Sequence, residues 1–308
     1  MIVVVCPGQG SQTPGFMLPW LDLPTFRNSI EGMQAASGID LIAHGTVSDA
    51  DTIRDTAVAQ PLIVSAGVAT LATLFELDGK VSAKISGVAG HSVGEITAAV
   101  ASGVFTADQG IKFVKERGDA MALAAGLEPT SMAAVLGGEQ SVVEARLAEL
   151  GLEPANYNGG GQIVAAGSAA AIGELQAEGP AGSRVIPLQV AGAFHTRYMA
   201  PAVATLSSYS ADLTVADPLT TLWTNAGGKA VTSGSEYLSL MVNQVKSPVR
   251  WDLCMSAMVD AGVTALIEVS PAGTLVGLAK RSMPGVETLA LKTPDNLDAA
   301  LALIANHA

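Results

Sequence analysis

An apolar run from Ile85 to Ala89 leads directly into Gly90-His91-Ser92-Val93-Gly94-Glu95, and an Ala/Val-rich stretch ending near Ala101 leads out of it. That order reads as a buried strand, a tight turn and a helix, the arrangement of a G-x-S-x-G nucleophile elbow. Glycine is needed at 90 and 94 because a Cβ at either position would collide with the neighbouring strand and helix. The turn holds Ser92 Oγ out at the top of the sheet. It also aims the Val93 amide, at the helix N-terminus, at any negative charge forming beside that oxygen, which is half of an oxyanion hole. In a chain with 33 glycines the motif also fits a turn with an incidental serine, so the surrounding sequence has to decide.

The chain of 308 residues is long enough for one large α/β domain or for a domain with an insertion. Its 49% hydrophobic and 14% charged residues point to a compact protein rather than a disordered one. The apolar runs read as too short and too rich in Ala and Gly to span a membrane. The N-terminus lacks the basic segment of a signal peptide, and Met1 to Cys6 reads as a buried strand, so the expected location is the cytoplasm. Cys6 and Cys254 lie in apolar contexts without C-x-x-C spacing and are expected to be buried, reduced thiols, with no metal site. A net charge of −12 argues against nucleic acid, whose binders need a basic stripe. It leaves room for an anionic small substrate held by a local cluster.

After the first strand comes Pro7-Gly8-Gln9-Gly10-Ser11-Gln12. This loop is neither a dinucleotide fingerprint, whose third glycine would fall at Thr13, nor a P-loop, which needs G-K-[ST]. Loops at the carboxyl ends of parallel strands are where open α/β sheets bind ligands, so its amides are candidates to complete the oxyanion hole. Helices are expected over Thr25 to Ala36 and from Pro61 to a stop at Asp78-Gly79. Thr106 to Gln109 reads as a capping box for a helix to about Ala125. On that helix Arg117 shares a face with Phe113, Val114, Met121 and Ala124, and a guanidinium in an apolar stripe needs an anion. That anion is either a substrate or an internal partner such as Glu95. Lys112, Lys115, Glu116 and Asp119 fall on solvated faces.

From Ser131 to Leu188 short segments follow in the order βαββαβ, with Asn158-Gly159-Gly160-Gly161 as the hairpin turn, which matches a ferredoxin-like unit. The expected organisation is therefore a large α/β domain over 1–127 and 190–308 and an inserted subdomain over 128–189. Beyond it, Ser247-Pro248 reads as a helix cap, Thr264 to Val269 as a strand, Gly273 to Met283 as a helix, and Thr293-Pro294 as the start of the last helix.

A serine needs an adjacent base. Of four histidines, His91 would project away from Ser92 Oγ at a sharp turn, His44 lies in a polar loop, and His307 is next to last, where chains fray. His195, in Gly192-Ala193-Phe194-His195-Thr196, leaves the subdomain where it can overhang the elbow. No Asp or Glu nearby is an obvious third member, so a backbone carbonyl or an amide side chain is expected to orient it.

Together these residues resemble the malonyl-CoA:acyl carrier protein transacylases, the acyltransferases of type II fatty-acid and polyketide synthesis. The match runs nearly end to end. It includes the loop Pro7 to Gln12, Gln60-Pro61, Gly90 to Glu95, Arg117-Gly118 with Met121, Gly161-Gln162-Ile163-Val164 with Gly167, Ala193-Phe194-His195, and Asn243-Gln244-Val245 with Pro248-Val249 and Trp251. The resemblance implies an α/β-hydrolase-like core with a parallel sheet and an inserted ferredoxin-like subdomain. It implies Ser92 as the acyl carrier, His195 as the base, the amides of Gln9 and Val93 as the oxyanion hole, and Arg117 as the grip on the malonyl carboxylate. The main-chain carbonyl of Gln244 would support the histidine. Phe194, a bulky ring immediately before His195, is expected to bear on acyl choice. Malonyl-CoA and phosphopantetheinylated acyl carrier protein are then substrates, no cofactor is implied, and a monomer is expected. Tyr157 with Gly159-Gly160 departs from relatives that often carry asparagine and proline there.

Other classes fit less well. An α/β-hydrolase esterase or thioesterase expects a late histidine, yet more than a hundred residues follow His195. A patatin-like hydrolase needs a downstream D-G-G or D-G-A, and Asp78-Gly79 precedes the serine. A non-catalytic carrier-binding scaffold would not need Ser92 and His195 intact.

Overall fold

The computed structural model describes residues 1–77, 79 and 82–308. The chain begins with β1 (Ile2–Cys6), α1 (Pro24–Ser37), α2 (Leu41–Thr46), α3 (Thr56–Leu77), β2 (Gly87–Gly90), α4 (Gly94–Ala101) and α5 (Ala107–Ala125). A run of shorter elements follows: β3 (Thr130–Gly137), α6 (Gln140–Glu149), β4 (Glu153–Gly159), β5 (Gln162–Ser168), α7 (Ala169–Ala177) and β6 (Ser183–Pro187). Then come α8 (Ala200–Ser210), β7 (Thr221–Trp223), β8 (Ala230–Val231), α9 (Gly234–Gln244), β9 (Val249–Arg250), α10 (Trp251–Asp260), β10 (Ala265–Glu268), α11 (Thr274–Ser282), β11 (Glu287–Ala290) and α12 (Leu297–His307).

The large sheet has the order β11-β10-β1-β2-β7-β8 and is parallel except for the closing β7–β8 pair. Its middle strand β1 is buried along its whole length, which is why Ile-Val-Val-Val-Cys shows no polar alternation. Cys6 stands opposite Gly90 in the register, so the loops that follow β1 and β2 emerge side by side at the carboxyl edge. The smaller sheet runs β6-β3-β5-β4 with antiparallel pairings, the ferredoxin-like order. Val143, Leu147, Ile172 and Leu175 of α6 and α7 close a core with Ala133, Val135 and Ile163. Gly159, Gly160 and Gly161 turn the β4–β5 hairpin with φ of 75°, 57° and 74°, three successive left-handed residues that only glycine adopts cheaply. An α/β-hydrolase-like core with a ferredoxin-like subdomain is thus the architecture.

The small sheet takes a fifth strand from far outside residues 128–189. β9 adds parallel to β4, with Asn156 opposite Val249 and Tyr157 opposite Arg250. Ser247-Pro248 therefore leads into a strand and not a helix: the open edge of β4 captures residues 249 and 250, and the helix waits until Trp251. Trp251 packs with Val3, Val5 and Leu266 of the large sheet, so this crossing segment joins the two units.

α3 starts at Thr56 rather than at Pro61, because Asp55 accepts from the Ala57 amide at 2.8 Å and caps the helix five residues earlier. The expected stop at Asp78-Gly79 lies partly outside the described residues. At 22 residues α3 is long and apolar enough to cross a membrane by length and composition, contrary to the reading of the apolar runs as too short; it is mostly buried within the protein. His307 is not frayed, since its ring nitrogens lie 2.9 Å from Thr264 Oγ1 and 3.0 Å from Glu287 Oε2. Cys6 and Cys254 are buried and unpaired, and burial pushes both thiols well above their usual range.

Candidate active site

The elbow is built by close approach. A Cβ on Gly90 would lie 2.0 Å from the carbonyl carbon of Gly94, and one on Gly94 would lie 2.1 Å from the Cys6 carbonyl oxygen. Ser92 between them takes φ of 52°, a left-handed conformation a serine adopts only when its surroundings impose it. Asn225, just past β7, imposes it from both sides. Its Oδ1 accepts from the Ser92 amide at 2.8 Å and its Nδ2 donates to the Gly90 carbonyl at 2.8 Å.

His195 is held in the same way, with φ of 62° and its amide bonded to the Val245 carbonyl at 2.9 Å. Its Nε2 lies 2.7 Å from Ser92 Oγ, and its Nδ1 lies 2.9 Å from the main-chain carbonyl of Gln244. A carbonyl only accepts, so Nδ1 carries the proton and Nε2 presents its lone pair to the serine. Burial, assisted by the nearby Arg117 charge, pushes the imidazole down to about 3, so it stands neutral and able to take a proton. His91 points elsewhere: its Nε2 lies 2.9 Å from Asn158 Oδ1 and its ring meets Trp251 edge-on.

Arg117 is 2% exposed and makes no ion pair with Glu95 or any other described carboxylate. Two neutral amides hold it instead. Nη1 donates to Gln60 Oε1 at 2.5 Å, Nη2 donates to Gln244 Oε1 at 2.8 Å, and Nη2 lies 3.4 Å from Ser92 Oγ. Burial pulls the guanidinium down to about 10, still charged at neutral pH. Lys112 and Lys115 pair with Asp108 and Asp119 at the surface.

Ser92, His195 and Arg117 face a cleft of about 540 Å³ that Gln9, Val93 and Phe194 also line. Among the described residues the amides of Gln9 and Val93 have no acceptor within the protein. The Gln9 loop is pinned in place, with Gln9 Nε2 donating to the Arg54 carbonyl at 3.2 Å and Gln12 Nε2 to that of Ile53 at 3.0 Å. Gln9→Ala should therefore reduce turnover mildly, by one half-buried hydrogen bond. Gln9→Pro removes the amide proton and should reduce it by about 10²–10³. A folded proline variant with ordinary turnover would show that this amide is not a donor to the reaction.

Asn225 and the side chains of Gln60 and Gln244 belong to this site and are not evident from a motif. Asn225 has one signal, its place in Trp223-Thr224-Asn225-Ala226-Gly227-Gly228, a short apolar run ending in a glycine turn at the carboxyl edge of the sheet. No described group of three or more His, Cys, Asp or Glu could hold a metal ion.

A half-buried serine paired with a buried imidazole, beside two open amides and a guanidinium, can form and break an ester with a carboxylate-bearing acyl group. Comparison with known proteins agrees. Residues 3–293 match the model of the acyl transferase domain. The chain is 47% identical over 300 residues to the malonyl CoA-acyl carrier protein transacylase of Mycobacterium tuberculosis, covering 97% of this chain and 98% of that one. It superposes on the crystal structure of the protein named MCAT from the same organism with a TM-score of 0.93, at 46% identity and covering 97% and 99% of the two chains. It is also similar to a malonyl-transacylase solved in complex with its type II polyketide acyl-carrier protein, with a TM-score of 0.91, 28% identity and coverage of 98% and 99%. From the elbow outward, this chain belongs to the family of the malonyl CoA-acyl carrier protein transacylases.

Proposed function

We propose that the protein transfers a malonyl group from malonyl-CoA to the phosphopantetheine thiol of acyl carrier protein through an ester on Ser92. The observation that carries this reading is the guanidinium of Arg117, 3.4 Å from Ser92 Oγ and held only by neutral amides. Its charge is left for a ligand, and a bidentate guanidinium–carboxylate pair would select an acyl group with a second carboxylate. Acetyl or propionyl groups would leave it unpaired.

Ser92 Oγ gives its proton to His195 Nε2 and attacks the thioester carbon, while the amides of Gln9 and Val93 hold the oxyanion. As the C–S bond breaks, His195 returns the proton to the sulfur, and CoA leaves as a thiol. The carrier thiol then gives its proton to His195 and attacks the ester carbon, and Ser92 Oγ departs with that proton. Two hydrogen bonds keep this exchange reversible without reorganisation: Nδ1–H to the Gln244 carbonyl at one end and the Asn225 clasp on the elbow at the other. The reading includes a monomer in the cytoplasm that meets an acidic carrier protein transiently, with the exposed Arg184, Lys246, Lys280 and Arg281 as candidate contacts.

Intact-mass measurement after mixing with malonyl-CoA tests the reading. One added malonyl group, discharged on addition of phosphopantetheinylated carrier protein, is expected; an adduct lost to water at the same rate without the carrier would favour a thioesterase instead.

Phe194, 6% exposed and immediately before His195, is placed to act by volume. Phe194→Ser should raise methylmalonyl relative to malonyl turnover modestly, since one methyl group in a pocket discriminates by only ~1–3 kcal/mol. Competition between the two CoA esters reads this directly, and an unchanged ratio would remove Phe194 from acyl choice.

A further inference from the structure

Glu95 follows the elbow on α4, is 1% exposed, and takes no direct part in the chemistry above. We propose that Glu95 is a positioning residue for acyl selection: it fixes the side-chain amide of Gln244 with Oε1 toward Arg117, and so aims the guanidinium at a carboxylate on the Ser92 acyl group. The proposal rests on the reading of malonyl transfer and adds to it the part that orients the selecting charge.

Two backbone groups here have a polarity that cannot change. The Ser92 amide can only donate and the Gly90 carbonyl can only accept, so Asn225, bonded to both, must present Oδ1 to the first and Nδ2 to the second. Asn225 Oδ1 and the Ser92 carbonyl oxygen then lie 3.2 Å from Gln244 Nε2, and Glu95 Oε2 accepts from the same nitrogen. Three acceptors converge on one NH2 group, the carboxyl group of Glu95 being the closest. Gln244 is therefore locked with its NH2 inward, and its Oε1 has to face Arg117 Nη2, 2.8 Å away. The other oxygen of Glu95 accepts from the Asn225 backbone amide at 2.6 Å.

The arrangement uses a side chain whose two oxygens both accept, and an amide of the same shape reverses one of them. In Glu95→Gln the new side chain must turn its oxygen to the Asn225 amide, a fixed donor. Its NH2 then meets the NH2 of Gln244, donor against donor. Rotation of the Gln244 amide would set its oxygen against the Ser92 carbonyl and Asn225 Oδ1 and a donor against Arg117, so the amide satisfies its neighbours in neither orientation and shifts away from Arg117. The backbone carbonyl of Gln244 is untouched by that rotation, so the His195 contact persists. Tyr237 donates its hydroxyl to the backbone carbonyl of Glu95 at 3.3 Å, and the Thr224 hydroxyl is a further partner of the Glu95 carboxyl group.

The experiment is the ratio of kcat/KM for malonyl-CoA to that for acetyl-CoA in acylation of Ser92, measured on the wild type, Glu95→Gln, Gln244→Met and the double variant. Glu95→Gln should lower the ratio about tenfold to a hundredfold. Gln244→Met, which deletes the relay and keeps the backbone carbonyl, should lower it similarly, and the double variant should match Gln244→Met alone. If Glu95→Gln does not fold, as judged by thermal unfolding, Glu95→Asp stands in; its carboxylate is one carbon shorter and should also lower the ratio. A ratio within twofold of the wild type in the Glu95 variant, or a further loss when it is added to Gln244→Met, overturns the proposal. A wild type that takes no malonyl group at all overturns the malonyl reading and this role together, which separates the two failures.

Discussion

Ser92→Ala should abolish the covalent malonyl adduct completely, with the protein folded and the cleft intact. The expectation is strong because the strain at position 92 is imposed by its neighbours and not by the hydroxyl. Asn225 binds the backbone amide of residue 92, and Gly90 and Gly94 meet each other, whatever side chain sits between them. An adduct of normal mass and rate on the alanine variant would overturn the assignment. His195→Ala should slow acylation by about 10²–10⁴, the range for loss of a general base. An unchanged rate would redirect attention to His91, which the structure ties to Asn158 instead.

Arg117→Ala should lose malonyl transfer by tens- to thousands-fold while acetyl transfer holds or rises. The loss corresponds to roughly 2–5 kcal/mol, the cost of leaving a buried charged group without its partner. The site adds a second cost: Gln60 Oε1 and Gln244 Oε1 would face the vacated space without a donor. Arg117→Lys should recover only part of the activity, because an ammonium cannot bond two amides and a carboxylate in one plane. Measuring kcat/KM for malonyl- and acetyl-CoA on both variants decides the point. Equal losses for the two substrates would make the arginine a structural residue, held to Glu95 through Gln244.

What could be read in the sequence was local. The elbow, the Thr106 capping box and the βαββαβ order announce themselves because their signals lie within a few residues of one another: glycines at a turn, a Thr and a Gln three apart, apolar runs with glycine between them. Ser92 and Arg117 stand in such patterns, His195 is what remains after elimination among four histidines, and Gln9 lies in the glycine-rich loop that the family resemblance singles out. Distant partners carry no such mark. Asn225 lies 133 residues from Ser92, and the Gln60 side chain reaches Arg117 across 57 residues. β9 is two residues long and becomes a strand only because β4 offers an edge. Arg117 leaves two readings open in the sequence, substrate or Glu95, and the geometry gives neither alone: Gln244 stands between the two side chains and touches both. Pro61 suggests a helix start for a related reason, since proline is a frequent first-turn residue, but Asp55 holds the cap.

The position of β1 at the centre of the large sheet has a consequence for biosynthesis. Val3 pairs with Leu266, and Val5 with Glu268, so β1 is made long before one of its two neighbours. At about 5–20 residues per second, β1 waits on the order of tens of seconds for β10. Meanwhile the four antiparallel strands from β3 to β6 have their partners close behind them and can pair early. An apolar strand that stays half-partnered for so long is a site for wrong pairing and for chaperone attention. The active site, which sets the loop after β1 against the loop after β2, also draws on His195, Asn225 and Gln244, and so is completed long after those two loops can meet.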